Sequence, residues 1–258
     1  MLIAIERLFL WFLLYSFIGW VYESILVSVQ ERRFVNRGFL NGPLCPIYGT
    51  GASLAIVLLG HLTNPVLIFL ISMIGATLLE YVTSWAMERL FHARWWDYSN
   101  FRFNINGRVC LLGAVVFGFG GVAIVLGVQP VVAELSAMIP VPALHTLATV
   151  LFMLTAIDVA VTVAGILDFA QMLDTVSETV QDYAARAGES WQWGSSAVAE
   201  KVAEWSQGSQ ETLEHVRQAV ADVVNAQQRR MLSSFPKFQV LGRQDIIDSL
   251  RELMRPRR

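Results

Sequence analysis

The sequence predicts an all-α fold: a polytopic membrane bundle of about five spans, with an internal parallel repeat of helix pairs, followed by C-terminal amphipathic helices. Three observations point there. The 258-residue chain is 55% hydrophobic with a mean hydropathy of +0.50, too apolar for an ordinary soluble domain. Its charges are unevenly spread: residues 1–168 hold eight Lys and Arg and nine Asp and Glu, against eleven and twelve in the remaining ninety. A motif rich in polar residues occurs twice in the charge-poor part. The division expected is a transmembrane domain over 1–168 and a cytoplasmic helical segment over 169–258.

A helical span needs about 20 apolar residues. Five segments qualify as candidates: Leu2–Leu26, Pro46–Leu62, Pro65–Leu90, Val109–Val128 and Pro142–Leu167. The first continues toward Val29 without a short apolar core or a small-residue cleavage site, so it reads as a retained span and not a signal peptide. The second is short and carries Gly49, Gly51 and Gly60, which allows it to be tilted or partly re-entrant. Arg32, Arg33 and Arg37 follow the first segment, and Arg89, Arg94, Arg102 and Arg108 follow the third; Leu62–Asn64 and Gly127–Val141 contain no Lys or Arg. The positive-inside rule then places the N-terminus outside, both Arg-bearing loops in the cytoplasm and the C-terminus in the cytoplasm.

The duplicated motif runs Glu23, Glu31-Arg32, Asn41-Gly42-x-x-Cys45, and again Glu80, Glu88-Arg89, Asn106-Gly107-x-x-Cys110. From Glu to Glu-Arg is eight residues in both; from Glu-Arg to Asn-Gly is ten in the first and eighteen in the second. This defines repeat A over about 10–62 and repeat B over about 66–128, with a fifth span over about 142–167. Two helix pairs inserted in the same direction are related by an axis along the membrane normal, as in transporters whose sites lie between repeats.

The loops are dense in Arg, Asn and aromatic residues. Asn41 and Asn106 are suited to cap the helices that follow, with Pro43 in a first turn. Helix N-termini beside Arg37, Arg94, Arg102 and Arg108 would favour a phosphate or carboxylate. Candidate ligand-binding residues are therefore Arg37, Asn41, Glu80, Arg94, Asp97, Asn106 and Arg108, with Glu23 and Asp158 as secondary candidates. Asp97 is placed to pair with an Arg of either loop. The bland alternative is interface chemistry, with the Arg on headgroups and Trp95, Trp96 and Tyr98 in an aromatic belt. Glu80 and Asp158 fall inside apolar segments, where an ionisable group is costly unless paired or wet. Glu23 and Glu80 correspond in the repeat and can face each other, sharing a proton or a cation; the alternative is that each accepts hydrogen bonds from nearby Ser, Tyr or Trp. Cys45 and Cys110, the two cysteines, are too few for a disulfide framework or a four-ligand metal site. No catalytic residue, metal or cofactor is assigned, and nucleic acid is not an expected partner.

From Gln171 to Leu232 the pattern turns amphipathic. Val176, Val180, Tyr183 and Ala187 form one stripe, and Val198, Val202, Trp205, Leu213, Val216, Val220 and Val223 another, at helical period. Gly188–Ser196 and Gly208 break it into two or three helices. Trp191, Trp193 and Trp205 suggest contact with membrane or partner. A shorter helix over Gln244–Met254 precedes the basic tail Arg255–Arg258, suited to anionic lipid.

The runs Tyr15–Glu23, Phe34–Gly49, Trp95–Ser99 and Phe103–Gly113 resemble a family of bacterial multi-pass proteins, the ABC-transporter type IV (CmpB-like) permeases. The resemblance covers about residues 10–125 and leaves the C-terminal helices outside. It implies a permease component partnered by a separate ATPase subunit, because the chain has no Gly-x-x-x-x-Gly-Lys-Ser/Thr loop of its own. The loops or the C-terminal helices would dock that partner. The leading expectation is a transporter component holding an anion or lipid headgroup at the cytoplasmic loops. The alternatives are a membrane-embedded enzyme acting on a phosphorylated lipid, with Glu80 or Asp97 as acid or base, and a non-catalytic scaffold or sensor.

Overall fold

A computed structural model of the chain describes residues 1–167, 169, 171–176, 178, 210–240 and 244–253. Four helices are long and apolar enough to cross a membrane: α1 (Leu2–Glu31), α3 (Pro65–Phe91), the continuous helix Leu111–Ala137 and α6 (Val141–Leu167). The second candidate segment forms α2 (Pro46–Leu59), of 14 residues. At 1.5 Å per residue that is about 21 Å, against roughly 30 Å of hydrocarbon core. Among the described residues four strands form, each two residues long: β1 (Ala93–Arg94), β2 (Asn104–Ile105), β3 (Val109–Cys110) and β4 (Gln239–Val240). Of the C-terminal pattern, Val180, Tyr183, Ala187, Gly188–Ser196, Val198, Val202, Trp205, Gly208 and the tail Arg255–Arg258 lie outside the described residues.

The fourth segment departs from its expected end. The helix does not stop at Val128: α4 (Leu111–Val122) passes through a π-helical stretch, Ala123–Val128, into α5 (Gln129–Ala137). Gln129-Pro130 reads as a break because proline lacks an N–H and crowds the preceding turn. Here Pro130 sits in the first turn of α5, after a π turn whose wider ladder accommodates it.

The chain divides into two compact units: residues 1–87 with 97–162, and residues 88–96 with 163–258. In the first unit, α1 and α2 run antiparallel and close. A Cβ on Gly19 would enter the Tyr48 ring, and one on Gly49 would meet Ser16 and the Phe12 carbonyl, so small residues set the approach, as is common between helices in lipid. Side-chain bonds fix the other directions. Trp11 Nε1 donates to Ser136 Oγ at 3.1 Å and Tyr15 Oη to Gln129 Oε1 at 2.8 Å, so α5 is antiparallel to α1. His145 Nδ1 meets Glu6 Oε1 at 2.7 Å, and the Phe9 and Phe152 rings lie 5.8 Å apart, so α6 is parallel to α1. Leu59 of α2, Ile68 of α3 and Val125 of the π-helical stretch pack together.

The second unit has its own core. β1 pairs antiparallel with β4, Ala93 opposite Val240. Trp95, 2% exposed, packs edge-on against Phe91 and Phe238, and Phe169 also meets Phe238. Trp95 is thus a core residue of this unit, and not part of an interfacial belt. Helix Ala226–Ser234 opens on a capping box formed by Asn225 and Gln228, which satisfies two backbone donors reciprocally. Helix Gln244–Leu253 buries Ile247 and Leu250, and its Arg251 donates to the carbonyls of Phe235 and Phe238.

Candidate functional site

The first motif loop folds back along α1. Ser28 Oγ accepts from Val35 N at 2.9 Å, Ser24 Oγ from Arg37 N at 3.1 Å, and the Ser16 carbonyl from Cys45 N at 3.0 Å. Trp20 Nε1 donates to Asn36 Oδ1 at 2.7 Å. Ser16, Trp20, Ser24 and Ser28 recur every four residues, so they form one stripe of α1. Non-helical backbone inside a membrane protein must bond to protein, and this stripe supplies the partners. From Glu31 back to Ser16 is about 22 Å of helix. The chain therefore travels that far into the bundle before α2 begins, which is why α2 is short.

The other anchor is α6. Asp158 Oδ1 accepts from Asn41 N at 2.9 Å and Asn41 Nδ2 at 3.0 Å, and Oδ2 accepts from Gly42 N at 2.8 Å. Asn41 Nδ2 also reaches Thr162 Oγ1 at 3.1 Å. Asn41 is thus no helix cap. The N-cap is Cys45, and Pro46, not Pro43, occupies the first turn. The chain needs the extra residues to reach the level of Ser16.

The second loop is a β-hairpin. β2 and β3 pair with Ile105 opposite Val109, and Arg108 N bonds to Ile105 O at 3.0 Å. Asn106 and Gly107 have φ of 54° and 68°, the positive values a type I′ turn demands and Asn-Gly supplies. Asn106 is therefore a turn residue, and Cys110 is the N-cap of α4. Asn104 donates to the Ser99 and Phe101 carbonyls and accepts from Gly107 N. Asp97 Oδ1 accepts from Ser99 N at 2.9 Å and from the Ser99 hydroxyl. It lies where a Cβ on Gly107 would fall. Asn106 Nδ2 donates to Tyr81 Oη at 3.0 Å, and the Arg108 guanidinium stands 5.3 Å over the Tyr81 ring.

Each motif copy brings a tyrosine to a helix carboxylate, from the first turn of α2 in one and from the loop in the other. Tyr48 Oη donates to Glu23 Oε1 at 2.6 Å, and Tyr98 Oη to Glu80 Oε1 at 3.0 Å. Arg37 lies 3.5 Å from Glu23 Oε2. Burial pushes the Tyr98 hydroxyl far above the usual phenol range, and the carboxylates of Glu80 and Glu23 push it further, so one hydroxyl senses an acid from each motif copy. Burial pushes the Cys45 thiol up to about 12; Glu23 adds to this, while a backbone hydrogen bond and Arg37 oppose it. A thiol held there is inert at neutral pH.

Of the residues singled out from sequence, Glu23, Arg37, Glu80, Asn106 and Arg108 lie in this part of the first unit. Asn41, Asp97 and Asp158 lie there too, with their side chains bonded within or between structural segments. Arg94 belongs to the second unit, where Nε holds Glu88 Oε2 at 2.6 Å. Each acid does accept a hydrogen bond from a tyrosine, as the alternative from sequence has it, but from Tyr48 and Tyr98, which the motif alignment does not single out. The sequence reading missed the stripe from Ser16 to Ser28, whose four-residue spacing was the available signal. Among the described residues no group of three or more His, Cys, Asp or Glu is placed to hold a metal ion.

A family model described as "Putative ABC-transporter type IV" matches residues 10–163. The match continues past the motifs that carry the resemblance and takes in α6 with Asp158. No curated protein and no solved structure matches the chain. The family model covers more than half of the sequence, and the chain belongs to that family. With its four membrane-length helices, membership marks it as a membrane transporter component.

Proposed function

We propose that this family member is a permease component that binds an anion or a lipid headgroup where its two motif loops meet, on the cytoplasmic side of the membrane. The observation that carries this reading is that each loop holds an arginine against its own helix, Arg37 at Glu23 and Arg108 over the Tyr81 ring. Arg37 is the first ligand group. It stands 3.5 Å from Glu23 Oε2, and a guanidinium can grip a phosphate or carboxylate bidentately. Arg108 and Asn106, side by side at Tyr81, supply the second. Asn41, Asp97 and Asp158 hold the loops in shape, and Arg94 acts through Glu88. Orientation rests on the Arg-rich loops and the positive-inside rule. A chain without a phosphate-binding loop takes ATP-driven work from a separate ATPase subunit, docked at the loops or the C-terminal helices.

Native mass spectrometry of the detergent-purified protein, beside the Arg37→Ala/Arg108→Ala double variant, tests the site. A phosphorylated small molecule or lipid carried by the wild type and lost from the folded variant is the expected result. Equal retention by both refutes it.

A further inference from the structure

Residues 57 apart correspond in the two motif copies: Glu23 with Glu80, Glu31 with Glu88, and Arg37 with Arg94. Their charges are partnered differently. In the first copy the membrane acid Glu23 has a cation, Arg37, at 3.5 Å, as well as the Tyr48 hydroxyl. In the second copy the corresponding Arg94 holds Glu88 at 2.6 Å. Glu80 is 6% exposed and accepts from Tyr98 at 3.0 Å; among the described residues no Lys or Arg forms an ion pair with it.

The ionisable group in contact with Glu80 is Tyr98 of the second loop, and the charge of Glu23 on α1 also reaches it. Glu23 in turn is held by Tyr48 of α2 and by Arg37, and its charge reaches Cys45. None of these except Arg37 is a cation, and Arg37 is held by Glu23. A carboxylate buried in an apolar bundle, with no Lys or Arg paired to it among the described residues, is sustained by taking up a proton or a cation. A neighbouring tyrosine hydroxyl hydrogen-bonds to the acid in either state, so Tyr98 keeps Glu80 in place while its charge changes.

We propose that Glu80 is a proton-carrying site of this protein, loaded from and discharged to water on the side of the motif loops, with Tyr98 as its positioning partner. Loading converts the carboxylate and one proton from water to the carboxylic acid, and discharge reverses it. In the ligand-free protein Glu23 keeps Arg37 as its counter-charge. This gives the chain a proton as a second ligand, next to the anion site proposed above.

Infrared difference spectra of the ligand-free protein in liposomes, recorded from pH 5 to pH 9, test the assignment. A carboxylic C=O band that grows as pH falls is expected in the wild type. It disappears in Glu80→Gln, persists in Glu23→Gln, and moves to higher wavenumber in Tyr98→Phe, where the hydroxyl no longer donates. If Glu80→Gln fails to fold, the Tyr98→Phe shift decides the question. An unaltered band in folded Glu80→Gln, an unshifted band in Tyr98→Phe, or no titrating band in the wild type overturns the proposal. Suppression of the band by sodium at fixed pH also overturns it, by making the site a metal-cation site. Because no anion is present, failure of the anion site and failure of the proton site are read separately.

Discussion

The first motif loop takes its hydrogen bonds from neighbouring helices, while the second makes most of its own. Along α1 the stripe Ser16, Trp20, Ser24 and Ser28 meets the descending chain, and Asp158 on α6 holds Asn41 and Gly42. The corresponding stripe of α3 is Met73, Thr77, Tyr81 and Trp85. Thr77 bonds to its own helix, and Tyr81 receives Asn106. With fewer acceptors on its helix, the second loop pairs β2 with β3 and folds Asn104 and Asp97 back onto its own backbone. Its longer spacing, eighteen residues against ten, supplies the chain for that hairpin. Two loops with the same motif thus satisfy their backbones by different routes, because a buried backbone must find partners somewhere, and the tyrosine that meets the acid comes from α2 in one copy and from the loop in the other.

That difference predicts which changes break which loop. Asp158→Ala removes the acceptor for two backbone N–H groups and Asn41, at a cost of about 3 kcal/mol. It should lower the thermal unfolding temperature and open residues 32–45 to protease while sparing 97–110. Unchanged stability would mean that the α1 stripe alone holds the first loop. Gly107→Ala strains a left-handed turn and pushes a methyl toward Asp97 and Ser99, for about 2 kcal/mol; here the protease pattern should reverse, with cleavage in the hairpin. Ser24→Ala leaves the Arg37 N–H without its acceptor and costs about 1–2 kcal/mol. Thr77→Ala, on the corresponding face of α3, should change stability by less than about 0.5 kcal/mol. Equal effects of these last two would erase the contrast between the stripes.

The same contrast explains what the sequence could tell. Apolar length and charge placement made α1, α3 and α6 legible, since hydrophobic runs need no tertiary partner to be seen. The lone acids and the Arg pattern were legible as chemistry, because ionisable residues in apolar segments stand out. Hydrogen-bond destinations were not. Asn-Gly reads equally well as a cap or as a turn, and only the distance that the chain must travel along α1 or α3 decides. Tyr48 and Tyr98 sit at different places relative to Cys45 and Cys110, so the motif alignment does not reveal their shared role. Asp158 lies 117 residues from Asn41, and a contact at that separation leaves no local pattern. The continuation of α4 into α5 was hidden by Pro130, which ends most helices but not one that widens first into a π turn.

The account turns on both motif loops opening at one face of the membrane, with α2 returning the chain to the other. Cysteine labelling with a membrane-impermeant maleimide tests this most directly, in a Cys45→Ser/Cys110→Ser background. Single cysteines would replace Phe34 and Phe103, which are 75% and 77% exposed in the two loops. Others would replace Asn64 and Met138 in the connections at the opposite ends of the helices. The account predicts that positions 34 and 103 react from one side of sealed vesicles, and positions 64 and 138 only from the other. Labelling of 34 and 103 from opposite sides would contradict it.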